Sequence, residues 1–227
     1  GTTWHLTFGG IRTNTHTFAT SLEGLYAPGG VGSHGVGSIT YVAYDGTVAA
    51  EQSCERARRI ALQPLPEEQV QREQRRLQGH LRVKSEDGLL PAQVKKRIRE
   101  IMTEKMGYVK NESRMCAALD DLSEVRETML PRMGLGSTSR NWNYDWVEAM
   151  DAEDMLDVCE LTIRMSLQRK ESRGYFFRED YPYIDNKNWL THTVAARVGN
   201  EVTFEHTSAA QKYGPPNERD DFLTADY

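Results

Sequence analysis

Apolar residues recur every three to four positions through the middle of the chain, and this spacing predicts three amphipathic helices. The three faces are Val94, Ile98, Ile101 and Lys105; Met115, Leu119, Leu122 and Met129; and Leu156, Cys159, Ile163 and Leu167. Pro91 lies near the first turn of the first helix, Pro131 and Gly134 follow the second, and an acidic first turn at residues 151–154 marks the start of the third. We interpret the faces as core packing and predict a small bundle of antiparallel helices.

A short hairpin is predicted near the carboxyl end. Residues 193–198 and 201–204 flank Gly199-Asn200, a pair favoured in tight turns between strands. From Gln211 onward, two prolines and several acidic residues predict an extended surface arm.

Changes of composition along the chain predict its organisation. Glycine, threonine and short apolar runs dominate the first fifty residues, the middle is heavily charged, and the end is aromatic and irregular. We therefore predict an α+β protein: a β/α segment at 1–62, a helical bundle at 63–172 and a short β-bearing carboxyl-terminal region at 173–227.

Charge and cysteine content exclude several classes of protein. The net charge is −5 with 27% charged residues spread along the chain, which disfavours nucleic-acid and membrane-surface binders. No apolar run approaches the roughly 18 residues that span a bilayer, and no signal peptide is recognisable. Cys54, Cys116 and Cys159 fit neither a zinc nor a disulfide pattern, so we expect reduced core thiols, no metal site and a cytoplasmic protein.

The glycine-rich loop before the first helix imitates a dinucleotide fingerprint. Gly30, Gly32 and Gly35 satisfy GxGxxG, but that fingerprint needs a βαβ unit with an acidic residue about twenty positions later. Here the helix runs from about residue 37 to about Leu62 and then meets prolines, so we reject a primary dinucleotide site. The free amides at the start of this helix still favour negative charge.

His5 is the first candidate for chemistry. It precedes the paired glycines Gly9 and Gly10, where backbone crowding is low enough for a side chain to present a protonatable donor to a ligand. The alternative is a histidine at a strand end that bonds to a backbone carbonyl.

Three motifs together resemble one enzyme family. Residues 171–193 read ESRGYFFREDYPYIDNKNWLTHT and resemble the ESRGxxxRxDYP…NWLxHT signature of flavoprotein subunits of the succinate dehydrogenase/fumarate reductase family. Residues 5–13, HLTFGGIRT, look like that family's HYTMGGIxT segment, and residues 24–31 resemble its GLYAxGE segment. The resemblance covers roughly residues 1–205 and aligns with the carboxyl portion of a family member.

The resemblance implies an FAD-dependent oxidoreductase that moves a hydride between flavin N5 and a small anionic substrate. In that family the segment at 1–62 is the flavin-edge piece of the FAD-binding domain, and the start of its helix stabilises charge on reduced flavin. His5 would bind substrate and take part in catalysis, with Thr7 beside it. The implied cofactor-binding residues are Gly9, Gly10, Gly29, Gly30, Gly37, Ser38 and Ile39.

One loop departs from the family pattern. Succinate dehydrogenases and fumarate reductases carry HGANRLGGNS, whose Arg clamps a substrate carboxylate. Residues 32–38 are shorter and lack an Arg, which places Ser33 near the Arg position and His34 beside it. Ser33 and His34 are therefore candidate substrate-binding residues, His34 also a catalytic one, unless Arg12 or an upstream residue supplies the charge. The shortened loop also resembles that of adenylylsulfate reductase flavoproteins, which is the alternative function.

The ESRG block itself favours a structural role. Arg173 and Arg178 alternate with Glu171, Glu179 and Asp180, a pattern typical of a loop held by ion pairs. We expect the block to dock the helical domain onto the flavin domain, with an apolar underside formed by Tyr175, Phe176, Phe177, Tyr181 and Tyr183.

The family's amino-terminal features are not recognisable in this chain. We therefore expect an amino-terminal FAD-binding half as a partner, in the same gene or a separate chain. The resemblance also implies an iron–sulfur electron-transfer subunit. The alternative from another class is a non-catalytic docking domain for a redox partner.

Overall fold

The protein is represented by a computed structural model that describes residues 9–32, 39–199, 201–209 and 218–221. Contacts between residues divide the chain into two compact units, one up to Pro66 and the other from Glu67 onward. Backbone turns packed on a single helix form the first unit, whereas a helical core forms the second.

Six α-helices lie within the described residues. They are α1 (Ile39–Arg59), α2 (Glu67–Gly79), α3 (Pro91–Lys105), α4 (Glu112–Glu124), α5 (Tyr144–Gln168) and the single turn α6 (Asn186–Trp189). In the first unit a 3₁₀ turn, Gly29–Val31, packs against α1. The helix α1 is followed by α2 rather than by a strand, so it does not belong to a βαβ unit. This agrees with our rejection of a primary dinucleotide site from the sequence.

The core of the second unit lies between α3, α4 and α5. Many of its fully buried side chains come from the three predicted helix faces, among them Val94, Ile98, Ile101, Met115, Leu156 and Ile163, and buried alanines of α4 and α5 complete the core. The predicted bundle and its core stripes are therefore confirmed. By contrast, α2 has no buried residue, as expected for its highly charged sequence.

The third predicted helix starts earlier than the acidic turn suggested. Asn143 caps α5, because its side-chain oxygen accepts a hydrogen bond from the Trp146 amide at 3.2 Å. Residues 151–154 consequently lie inside the helix, where Asp151 pairs with the buried Lys95 at 3.0 Å. The acidic turn was the wrong start signal, because Asp151 and Glu153 form ion pairs with Lys95 of α3 and Arg76 of α2.

The end of α4 is also more complex than the sequence indicated. A π-helical turn, Val125–Met129, and a 3₁₀ turn, Leu130–Arg132, continue the helix to the predicted stop at Gly134. The Arg82 guanidinium donates to the Met133 carbonyl at 3.0 Å and the Pro131 carbonyl at 3.1 Å. These bonds satisfy carbonyls that the end of a helix leaves without partners.

Six short strands form three two-stranded sheets in the described residues: β1 (Val109–Lys110) pairs parallel with β2 (Phe177–Arg178), β3 (Tyr183–Asp185) antiparallel with β6 (Arg219–Asp221), and β4 (Thr191–Val198) antiparallel with β5 (Glu201–Ser208). The predicted hairpin is confirmed, and both of its strands are longer than predicted. Gly199 in its turn has a φ of 64°, a conformation that favours glycine. The α+β class is therefore confirmed.

The expectation for the tail stays a prediction, and the one for the cysteines was wrong. Of the tail, predicted as an extended surface arm, the structure describes residues 218–221, and Arg219–Asp221 pairs with β3. Cys54 and Cys116 are free but exposed, and Cys159 is only partly buried, so they are not all core thiols. Within the described residues, none of the helices combines the length and apolar character that crossing a membrane requires.

Replacing Ile98 with Ala tests the bundle core. Because Ile98 is fully buried between α3 and its neighbours, the variant should lose about 2–5 kcal/mol of unfolding free energy in urea denaturation. Lys96→Ala, on the exposed side of the same helix, should change it by less than about 0.5 kcal/mol. Equal losses in both variants would contradict the assigned core.

Candidate functional site

Backbone hydrogen bonds shape residues 9–32. The Ile11 amide donates to the Val31 carbonyl at 2.9 Å, and the Ala27 amide donates to the Phe18 carbonyl at 3.0 Å. Phe18 is buried and has a φ of 57°, which is uncommon for a residue other than glycine. The surrounding contacts therefore hold this turn in a conformation that the isolated segment would disfavour.

The turn Gly29–Val31 rests on one face of α1. Val42, Asp45 and Ala49 lie on that face, three and then four residues apart. Gly29 has a φ of 66°, and its amide donates to the Oδ2 atom of Asp45 at 3.3 Å. Asp45 is only 8% exposed, so a carboxylate lies beneath the glycine turn.

At Gly10 and Gly29, two of the four described glycines predicted to bind cofactor, the structure of this chain itself favours glycine, by close backbone contact at Gly10 and by a positive φ at Gly29. A Cβ atom on Gly10 would lie 2.4 Å from the Val31 carbonyl oxygen, and one on Gly29 would lie 3.2 Å from Cγ1 of Val42. The chain therefore has its own steric need for glycine at these two positions, whatever binds nearby.

The other two glycines, Gly9 and Gly30, present bare backbone. A Cβ atom on either would meet nothing within 4 Å, and both residues are exposed. Ile11 and Val31, which the backbone pairing brings together, are exposed apolar residues in the same segments. We call these four residues the glycine surface; bare backbone beside apolar side chains suits a flat, largely apolar ligand such as an isoalloxazine ring.

Some of the predicted site residues lie within the described part of the chain and others lie outside it. His5, Thr7, Ser33, His34, Gly37 and Ser38 lie outside the described residues. The Ile11 amide donates to the Val31 carbonyl, and Ile11 pairs in parallel with Gly32, so Gly10 lies against Val31 and Gly32. Ile39 is the first described residue of α1, and it is 88% exposed.

In the second unit, Glu171 is the centre of a buried ion-pair cluster. Its Oε1 and Oε2 atoms accept bonds from Nε and Nη2 of Arg173, both at 2.9 Å, and Oε1 also contacts Arg169. The Asp185 amide donates to Oε2 at 3.0 Å. These partners replace the hydration that the fully buried carboxylate has lost, and the cluster joins the end of α5 to β3.

Arg178 forms a second buried link. Its guanidinium is bidentate with Asp180, at 2.9 Å and 2.6 Å, and its Nη1 atom donates to the Arg169 carbonyl at 3.0 Å, just after α5 ends. Asp180 in turn accepts the Glu112 amide at 3.0 Å, at the start of α4. Hydrogen bonding from Arg178 lowers the pKa of Asp180, although burial opposes the shift, so the pair stays charged.

The ion pairs support the predicted structural role of the ESRG block, with one correction. Glu171 and Arg178 are fully buried and linked within the second unit. Tyr175, which we expected on the apolar underside, is exposed. It lies in a turn beside Gly174, whose φ is 56°. Docking of this block onto a flavin domain stays a prediction.

Lys110 is a buried cation that the sequence did not single out. It is 5% exposed, its Nζ atom donates to the Tyr108 carbonyl at 3.0 Å, and it lies 4.9 Å from the Phe176 ring centroid. No ion pair between Lys110 and a carboxylate is found in the described part of the chain. Burial and, to a smaller extent, the Arg178 cation lower the pKa of the Lys110 amine to about 8.

Sequence reasoning missed Asp45 and Lys110 for different reasons. Asp45 lies between two residues of one helix face, Val42 and Ala49, so its spacing was a usable signal of burial. Lys110 is in a two-residue strand whose partner is almost seventy residues away, so no local signal could reveal its burial.

Comparison with protein families gives one extended match. The model of the family described as fumarate reductase flavoprotein C-term matches residues 95–221, which include most of α3, all of α4 and α5, and the ESRG block.

Curated relatives and solved structures extend this likeness. The succinate dehydrogenase flavoprotein subunit of Coxiella burnetii is 36% identical over 110 residues, covering 48% of this chain and 19% of that protein. The L-aspartate oxidase of Streptomyces coelicolor is 27% identical over 230 aligned positions, covering 93% of this chain and 36% of that protein. A mutant E. coli quinol fumarate reductase superposes with a TM-score of 0.83 at 27% identity, covering 94% of this chain and 38% of its own.

The coverage is unequal in each comparison. The long alignments use nearly all of this chain but only 36% and 38% of the respective relative. The chain therefore spans little more than a third of the length of those proteins.

Replacing Glu171 with Gln tests the ion-pair cluster. Two arginines would lose their buried carboxylate, so the unfolding free energy should fall by about 3–5 kcal/mol. Glu160→Gln is the matched control, because Glu160 pairs with Arg164 on the helix surface and should lose less than about 1 kcal/mol. Denaturant titration measures both, and a loss at Glu171 no larger than at Glu160 would contradict the cluster.

Lys110 predicts a dependence of stability on pH. Its pKa falls from 10.5 to about 8 on folding, so between these values the unfolded chain holds a proton that the folded chain has released. The Lys110 contribution should therefore rise with pH across this window, by on the order of 3 kcal/mol.

The measurement is the unfolding free energy of wild type minus that of Lys110→Met, at several pH values from 7 to 10.5. This difference should move in favour of the wild type as the pH rises. Lys96→Met, at an exposed position on α3, should leave the pH profile unchanged. A flat difference for Lys110→Met would show that the amine titrates normally in the folded protein.

Proposed function

The chain belongs to the fumarate reductase flavoprotein carboxyl-terminal family, and on that premise we propose that it is the carboxyl-terminal part of an FAD-dependent oxidoreductase. The proposed reaction moves a hydride between flavin N5 and a small anionic substrate. The family is one of flavoprotein oxidoreductases, and FAD is its cofactor.

The glycine surface is the observation that carries the proposal. Gly9 and Gly30 are exposed with open space where side chains would be, and Ile11 and Val31 add apolar contact area. These residues suit one edge of the isoalloxazine ring, and FAD when bound supplies the N5 atom that gives or accepts hydride. The residues of this chain would hold the ring and exclude water from its edge.

The remaining roles follow the predicted site residues. His5 would bind the substrate and hold a proton close to it, with Thr7, Ser33 and His34 as further polar contacts. The backbone amides of Gly37, Ser38 and Ile39 would face negative charge on the flavin, because the start of a helix carries partial positive charge.

We propose a class of substrate rather than one compound. Relatives of this chain include a succinate dehydrogenase subunit, an L-aspartate oxidase and a quinol fumarate reductase, whose names all point to small carboxylates. We therefore propose a small carboxylate for this protein too. The alternative, an adenylylsulfate reductase-like activity, depends on the loop containing Ser33 and His34, and no described contact favours it.

Two partners complete the proposal. The relatives are much longer than this chain, which supports a flavin-binding region as its partner, in the same polypeptide or a separate one. An iron–sulfur subunit is the proposed path for electrons, as the family resemblance implies.

The first experiment is a visible absorption spectrum of the protein purified from its source, with the intact mass of every chain present. Flavin bands near 370 and 450 nm (approximate positions for any oxidised flavin) are expected. Addition of succinate or L-aspartate should bleach the bands, or fumarate should reoxidise the reduced protein. Reduction by AMP with sulfite instead would favour the adenylylsulfate alternative, and a colourless protein would favour a non-catalytic docking domain.

Gly30→Ala provides a prediction for the cofactor contact. The added methyl group meets open space in this chain, so the unfolding temperature should stay within about 2 °C of wild type. Flavin affinity should fall at least about tenfold, because the methyl group would intrude on the ring.

Gly46→Ala is the matched control, since it also adds a methyl group in open space but within α1. It should leave flavin affinity unchanged in a titration of the apoprotein. If Gly30→Ala binds flavin as well as Gly46→Ala does, the glycine surface does not contact the cofactor.

A further inference from the structure

Asp45 is a buried carboxylate without a role in the proposed chemistry. It is 8% exposed and lies in the second turn of α1, on the same face as the buried Ala49. Removing a carboxylate from water is costly unless hydrogen bonds replace the lost hydration. Among the described residues, the donor that reaches it is the Gly29 amide, at 3.3 Å.

The geometry of Gly29 explains why this bond matters for the neighbouring turn. Gly29 has a φ of 66°, a left-handed conformation, and its Cα packs on Val42 so closely that an added Cβ would lie 3.2 Å from Cγ1. Packing thus limits how near Gly29 approaches α1, and the hydrogen bond to Asp45 fixes how its peptide plane is oriented. The next residue is Gly30, whose bare backbone belongs to the glycine surface.

The other side of the turn is held independently of α1. The Val31 carbonyl accepts the Ile11 amide at 2.9 Å, and the Gly32 amide donates back to the Gly29 carbonyl at 3.0 Å. These bonds fix residues 29, 31 and 32 relative to the strand-like segment at Ile11. Among the described residues, Asp45 is the side chain of α1 that forms a hydrogen bond with the turn, whereas Val42 only packs against it.

We infer that Asp45 is a positioning residue that orients the Gly29–Val31 turn, and with it the bare backbone of Gly30, toward the flavin. This inference rests on the proposed function, since it assigns the flavin as the ligand of that backbone. Asp45 acts through Gly29 as a hydrogen-bond acceptor, and its negative charge is not required for this role.

The test compares Asp45→Asn with Asp45→Ala in the flavoprotein as assembled in its source cell. Asn retains a side-chain oxygen that accepts the Gly29 amide, whereas Ala has none. Amide hydrogen exchange of a peptide covering residues 28–32 should accelerate about tenfold in Asp45→Ala, as expected for loss of one buried hydrogen bond, and should stay near wild type in Asp45→Asn. The visible flavin spectrum should shift in shape with Ala and return with Asn.

Glu51→Ala is the control, because Glu51 is an exposed carboxylate on the same helix and its loss should change neither measurement. Unchanged exchange in Asp45→Ala overturns the inference, and so does equal acceleration in Asp45→Asn, since the charge would then be what matters. If Asp45→Ala does not fold, the Asn variant decides: wild-type exchange supports the inference and failure to fold overturns it. A wild-type protein without flavin overturns the proposed function instead, and the exchange comparison still tests the bond between Asp45 and Gly29.

Discussion

The salt bridge between Arg178 and Asp180 is the interaction on which the second unit depends most. Arg178 is fully buried, and its guanidinium donates to the carbonyls that the end of α5 leaves unpaired. Asp180 forms an ion pair with this guanidinium, and it also accepts a hydrogen bond from the first amide of α4. One ion pair thus satisfies the negative end of one helix and the positive end of another, which fixes where α4 begins relative to where α5 ends.

The short β1–β2 pairing lies beside the same interaction. Two residues on each strand are too few to be stable alone, and in the parallel register Lys110 lies directly opposite Arg178. Burial and, to a smaller extent, the neighbouring Arg178 cation lower the pKa of Lys110, and its amine contacts backbone carbonyls and the Phe176 ring. The charged side chains of the ESRG block therefore form ion pairs and hydrogen bonds mostly with each other and with nearby backbone of the same unit, which agrees with a structural rather than a catalytic role.

The first unit is stabilised in a different way. Its described residues bury few apolar side chains, and its shape depends on backbone hydrogen bonds, close glycine contacts and the single carboxylate of Asp45. Such an arrangement leaves Gly9 and Gly30 uncovered together with apolar neighbours. A surface of this kind is costly to expose to water and favourable to cover with a flat ligand, which connects the packing of this unit to its proposed role.

Local patterns in the sequence were sufficient for the bundle faces, the hairpin turn at Gly199 and the family, because helix and turn signals involve neighbouring residues and the motifs are contiguous. The pairing of β3 with the tail, the start of α5 at Asn143 and the burial of Lys110 depended on the tertiary structure. The strand pairing and the burial depend on contacts between segments far apart in the chain. The start of α5 depended on which of two plausible start signals caps the helix. Burial of a charge is decided by what packs over it, and the residues that cover Lys110 are distant in sequence.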